Sequence, residues 1–148
     1  MKVIERLNHW IAEVPAKFGV LPEPELSIRP QPHKWSKKEI LGHLCDSAQN
    51  NLQRFIRAQY EEQPQTVIRY DQEQWVKLMG YQDLPFDQVL SLWLSLNKQV
   101  AAVIERTPEN NLQKEYPLSE AQIVTMGWMF DDYVDHLEHH LKQIFGDI

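Results

Sequence analysis

The segment Tyr133-Val134-Asp135-His136-Leu137-Glu138-His139-His140 carries three of the chain's six histidines. On a helix, residues four apart lie on one face with their Cβ atoms about 5–6 Å apart, so His136 and His140 can share one metal ion. A helical wheel separates the three. His140 falls beside Met126, Met129, Tyr133 and Ile144, with His136 at the edge of the same face. His139 falls among Asp132, Asp135 and Lys142, on the solvent side. Two imidazoles hold a metal weakly, and His43 is the best-placed third ligand. It sits just beyond the apolar arc of its own helix, flanked by Ile40 and Ser47, with Asn50 and Arg54 further down that face. His9 lies opposite most of its helix's apolar stripe and His33 lies in a proline-rich loop, so both are weaker candidates.

A lone HxxxH is weak evidence, because packed or exposed histidines account for most of them. Other metal architectures leave clearer traces. A ferritin-like di-iron site needs two Glu-x-x-His motifs plus two further glutamates, and no Glu-x-x-His occurs in the chain. The zinc-protease HExxH is absent too. A mononuclear three-histidine site remains, for one divalent ion among Zn, Ni, Fe and Mn, since imidazole suits several of these ions. Neutral imidazoles leave the ion's charge intact at an open position. Water held there by zinc has a pKa lowered to about 7, which suits a hydrolase. A low-molecular-weight thiol held there would be kept as thiolate, which suits an S-transferase. Either way the partner is a small-molecule substrate.

Residues around the ligands take roles by spacing. Asp46, one turn beyond His43, is open to three readings: catalytic general base, partner that orients a ligand imidazole, or solvated surface acid. Glu39 is committed to a helix cap. Asn50 and Arg54 are candidates to line a substrate cleft and meet an anion. Cys45 points to the opposite side of the helix from His43 and reads as a buried structural thiol. Trp75, Trp93 and Trp128 read as core or interface residues, and Met126 and Met129 as packing. The alternative from another class is a non-catalytic bundle with a structural or vestigial site, acting through partner binding.

Four helical stretches must position these groups. The first runs from about Lys2 to Val14, with Val3, Ile4, Leu7, Trp10, Ile11 and Val14 on one stripe. Pro15 to Pro32 follows as an extended loop, with prolines at 15, 22, 24, 30 and 32. Ser36-Lys37-Lys38-Glu39 is a capping box that opens a second helix to about Tyr60. A short helix over Asp71 to Leu78 crosses to the third, Phe86 to Arg106, entered after Pro85. A polar loop, Glu109 to Lys114, leads to the last helix, opening near Ser119 and running to Phe145 before Gly146. No alternating strand pattern competes. The expected class is all-α: one domain over residues 1–148, a four-helix bundle with at least one long crossover connection.

Bulk properties exclude several functions. The 148 residues suit one core, with 43% hydrophobic and 24% charged residues. No apolar run approaches the roughly 18–20 residues of a membrane span, so no membrane partner is expected. The start of the chain carries charge where a signal peptide needs an apolar run. The single cysteine fits a reducing compartment, and a cytoplasmic location is expected. The net charge of −6 and fifteen scattered basic residues argue against nucleic acid as a partner.

The run from His33-Lys34-Trp35-Ser36 through Glu39-Ile40, His43-Leu44 and Asp46-Ser47 resembles the second-helix signature of the DinB/YfiT-like superfamily. Tyr133-Val134-Asp135-His136 through His140 resembles its last-helix signature, and Ile68-Arg69-Tyr70-Asp71 with Trp75 extends the likeness across almost the whole chain. The resemblance implies a four-helix bundle, usually a homodimer, with a divalent metal on three histidines at the positions of His43, His136 and His140. Many members are labelled metal-dependent hydrolases; others are thiol-dependent transferases and isomerases using bacillithiol, mycothiol or glutathione. This chain departs from the common Pro-Gly-Lys-Trp-Ser entry by placing His33 where relatives often have glycine.

Overall fold

The computed structural model describes residues 2–62 and 69–148, so Ile68 lies outside the described residues. Seven helices and one hairpin follow in order: α1 Val3–Gly19, α2 Glu23–Leu26, α3 Lys37–Tyr60, α4 Gln72–Met79, a 3-10 turn at Tyr81–Asp83, α5 Phe86–Arg106, α6 Glu109–Leu112, strands β1 Glu115–Ser119 and β2 Gln122–Thr125, and α7 Met126–Phe145. The four long helices form the bundle. α3 packs on α5 and α7, and α1 packs on the same two helices from the other side. The consecutive long helices α1 and α3 therefore face each other across the bundle, as do α5 and α7. Both of these steps need long connections, and only α3 to α5 joins direct neighbours.

Local chemistry starts and stops these elements. The capping box forms as expected: Ser36 Oγ accepts from Glu39 N at 3.2 Å, and Glu39 Oε1 accepts from Ser36 N at 3.1 Å. The same Glu39 carboxylate receives Arg29 twice, at 2.8 and 3.0 Å, tying the proline-rich connection to the start of α3. Asp71 caps α4 through Gln74 N, and Gly80 closes it in the left-handed conformation at φ 73°. α5 begins after Pro85, as expected.

Three expectations are corrected. α1 does not stop at Val14 but continues through Pro15 to Gly19. An interior proline costs a helix about 3 kcal/mol, but Val14 before it and Phe18 beyond it are both buried. Phe18 sits between Phe86 and Phe145, with ring centroids 4.8 Å from each, and burying this side chain offsets the lost bond. The expected loops each hold a short helix: α2, with Pro22 at its N-cap and Pro24 in its first turn, interrupts the proline-rich stretch, and α6 lies in the polar stretch after α5. The last helix opens at Met126 rather than near Ser119, because residues 115–125 form an antiparallel hairpin. Thr125 Oγ1 accepts from Trp128 N and sets the start of α7.

Two contacts bring the site helices into register. Arg6 of α1 grips α7 through Asp135 at 2.7 Å and Glu138 at 3.1 Å, and Trp10 Nε1 donates to Glu138 at 3.0 Å. Gly42 of α3 lies flat against Tyr81: a Cβ there would stand 2.2 Å from the ring. That close approach brings the 3-10 turn onto the helix beside His43.

Candidate metal centre

α3 is buried on every side from Lys38 through Ala48, so helical phase alone does not locate its interior face. His43 was expected at the border of the apolar arc and is instead fully buried. Trp35, from the segment leading into α3, lies over it with ring centroids 4.9 Å apart. His136 and His140 reach the same point from α7, both partly buried, while His139 is exposed.

His43 Nε2 lies 3.4 Å from His136 Nε2, and His140 Nε2 lies 3.2 Å from His136 Nε2. Ligand nitrogens about 2.0–2.1 Å from a tetrahedral ion stand about 3.3 Å apart. The two measured separations match that edge. Hydrogen bonding alone accounts poorly for the cluster, because neutral imidazoles have one donor each and three nitrogens converge. One ligand nitrogen from each of the three rings lies within 4.8 Å of the others. The donor set therefore fits a divalent cation.

Electrostatics keep the three lone pairs available. Burial, reinforced by the neighbouring imidazoles His140 and His136, pushes the His43 pKa down to about 3. Burial, with His140 and His139 nearby, pushes His136 down to about 4, and burial lowers His140 as well. All three rings are neutral at physiological pH. His140 Nδ1 lies 2.8 Å from Gln143 Oε1. A carbonyl oxygen only accepts, so Nδ1 carries the proton and Nε2 presents its lone pair to the cluster. Gln143 was not singled out from the sequence; its spacing of three from His140 was the available signal.

Asp46 is not a solvated surface acid. It is fully buried, and Tyr81 donates its hydroxyl to Oδ1 at 2.6 Å. Burial raises the carboxyl to about 6, against the opposing pull of that hydrogen bond. Oδ2 has no partner among the described residues, and neither does His43 Nδ1. Cys45 is buried as expected, with its thiol pKa pushed up by burial.

Two cavities flank the ligands. One, of about 460 Å³, joins His136 to Arg54, Arg69, Tyr70 and Asp132. The other, of about 560 Å³, joins His140 and Gln143 to His33, Trp35 and Glu73. Arg54 thus stands on a cavity wall beside a ligand. Asn50 does not line either cavity; its amide donates to Asp46 O at 2.9 Å, and Asn51 takes the wall position. His33 reaches the second cavity, while His9 packs edge-on against Trp10. Trp93 is core, and Trp128 is 40% exposed. No helix among the described residues is long and apolar enough to cross a membrane.

Known proteins share this architecture. A protein of Halalkalibacterium halodurans named "Putative metal-dependent hydrolase" is 28% identical over 145 residues, covering 93% of this chain and 84% of its own. YfiT of Bacillus subtilis, which carries the same designation, is 26% identical over 148 residues, covering 95% of this chain and 83% of its own. The solved YfiT structure, described as an unusual four-helix bundle, superposes with a TM-score of 0.83 at 22% identity, over 96% of this chain and 81% of that one. A mycothiol-dependent maleylpyruvate isomerase superposes with a TM-score of 0.72 at 15% identity, over 100% of this chain and 62% of that one. The diagonal helix order found above is thus shared with solved bundles. With residues 5–144 matching its family model, the chain belongs to the DinB superfamily.

Proposed function

We propose that this protein is a metal-dependent enzyme that binds one divalent ion through His43, His136 and His140 and activates a small-molecule thiol for transfer to an electrophile. The observation that carries the reading is the convergence of three neutral imidazoles, with Nε2 separations of 3.2 and 3.4 Å, between two cavities. The ion, Zn, Ni, Fe or Mn, supplies a Lewis-acid position at which a thiol or a water loses its proton near neutral pH.

The chain's own residues then define the environment. Gln143 fixes the tautomer and ring angle of His140. Trp35 covers His43 and keeps water from its ring. Asp46 lies behind the ligands rather than on a cavity wall, and neither cavity beside the ligands includes it. Its role in this reading is to hold the α3 side of the site through Tyr81, so a general-base role is not assigned to it. A thiol suits this arrangement because its ordinary pKa, about 8.5, requires little assistance to ionise.

Water activation is the second reading, favoured by the name of the relatives and by the carboxylates Asp132 and Glu73, one on each cavity. Either could take a proton from water. Assembly as a homodimer in the cytoplasm belongs to the same proposal; sedimentation of the purified chain tests the dimer.

The activity test uses metal-loaded protein. Low-molecular-weight thiols are offered with an epoxide or a chloroarene, in parallel with ester and phosphoester substrates. Thiol conjugation that disappears in His136→Ala supports the first reading. Ester or phosphoester turnover without conjugation replaces it with the second.

A further inference from the structure

The two cavities beside the histidines differ in charge. On the His140 side, Lys34 is set against Glu73, and Trp35 and Ile40 supply apolar wall. On the His136 side, the described lining residues include two arginines, Arg54 and Arg69, and one acid, Asp132. This cationic excess occurs in a chain whose net charge is −6, so it does not follow from general composition.

The α3 wall of that cavity is fixed by its own hydrogen bonds. Asn51 Nδ2 donates to Ser47 O at 2.8 Å, and Ser47, Asn51 and Arg54 line the cavity from successive turns of α3. Arg54 is half-buried. Burial lowers its pKa more than the nearby Tyr116, Tyr70 and Asp132 raise it. Arg69 is exposed and comes from the segment before α4, facing the same space from another element. Guanidinium groups are matched to carboxylates by planarity and paired donors.

We propose that the His136-side cavity is an anion subsite in which Arg54 and Arg69 bind the carboxylate of a small-molecule substrate whose reacting group lies at the three histidines. The proposal rests on the open metal site described above and adds the substrate class: a molecule with a reactive end and a negatively charged end. The opposite cavity, with its tryptophan and isoleucine, takes the less polar reactant.

The test uses the full chain reconstituted with cobalt. A series of ω-mercaptocarboxylates, from mercaptopropionate to mercaptooctanoate, is titrated against the matching ω-mercaptoalcohols, and the sulfur-to-cobalt charge-transfer absorption is followed. At the best chain length the carboxylate binds about tenfold or more tighter than its alcohol, the size expected of a charge-assisted hydrogen bond. That preference falls at least severalfold in Arg54→Gln and in Arg69→Gln, and persists in Arg57→Gln, whose arginine pairs with Glu61 outside the cavity. The variants separate the arginines from the ion's own attraction for anions. Arg69 is exposed, so its variant keeps the test valid if Arg54→Gln does not fold. Equal binding of acid and alcohol in the unaltered protein overturns the proposal, as does a preference unchanged in the arginine variants. Saturation-transfer NMR on the same pairs reads the preference without the metal band. A missing band then counts against thiol activation, while the carboxylate preference still decides the subsite.

Discussion

Removing the Tyr81 hydroxyl should destabilise the protein by an amount that depends on pH. The hydroxyl donates to Asp46 Oδ1 at 2.6 Å in a fully buried setting. Asp46 is raised from 3.8 to about 6 by burial, even though this bond favours the ionised form. A group whose folded pKa lies above its unfolded one stabilises the fold at low pH and loses that contribution as pH rises through the folded value. For Asp46 the window runs from about pH 4 to pH 6, and keeping it ionised above the window costs about 3 kcal/mol. Tyr81→Phe deletes the one hydrogen bond that eases that cost. Above the window the loss is that of a bond to a charge, about 2–3 kcal/mol. Below the folded value, where Asp46 is protonated in the native state, the loss is that of a neutral bond, about 1 kcal/mol. Urea unfolding of both proteins with chelator present, at about pH 5 and about pH 8, gives the two differences. Histidine protonation is common to both proteins and cancels. An equal loss at both values would refute the reasoning, because the hydroxyl would then not be bonded to a carboxyl that titrates in this range.

Two further substitutions test the supports of the site. Gly42→Ala places a Cβ 2.2 Å from the Tyr81 ring, so it should lower stability by about 1–3 kcal/mol by overpacking; Gly127→Ala, whose Cβ meets Leu112 O at an ordinary 3.5 Å, should be neutral or stabilising by up to about 1 kcal/mol. Equal urea midpoints for the two variants would count against the close packing of the 3-10 turn on α3. Gln143→Ala should weaken metal affinity about 10–100-fold in chelator competition, with little change in the unfolding midpoint of the metal-free protein, since it removes only the group that orients His140.

The helices were legible where a local signal marks them. Ser36 and Glu39 announce α3, Pro85 announces α5, and Gly146 ends α7. The hairpin was hidden because only Tyr116 and Val124 of its strands are buried and Pro117 lies in one of them, so no alternating run stands out. α7 opens on Thr125 without the glutamate that completes a capping box, so no local signal moves the expected start from near Ser119 to Met126. The passage of α1 through Pro15 depends on Phe18 meeting Phe86 and Phe145, contacts between residues far apart in sequence. For the site, phase on α7 selected His136 and His140 over His139, because only one side of that helix faces the bundle. Phase on α3 misjudged the depth of His43 and left Asp46 open, because Trp35 and the 3-10 turn cover sides that a wheel treats as solvent. Gln143 and Arg69 acquire meaning only through neighbours brought close by folding.

Elemental analysis of the purified chain decides whether His43, His136 and His140 hold one divalent ion. Close to one equivalent of a first-row divalent metal is expected in the unaltered protein, and little in each of His43→Ala, His136→Ala and His140→Ala, with His139→Ala retaining its metal. Metal content that is unchanged across the three ligand variants, or that falls in His139→Ala instead, would contradict it.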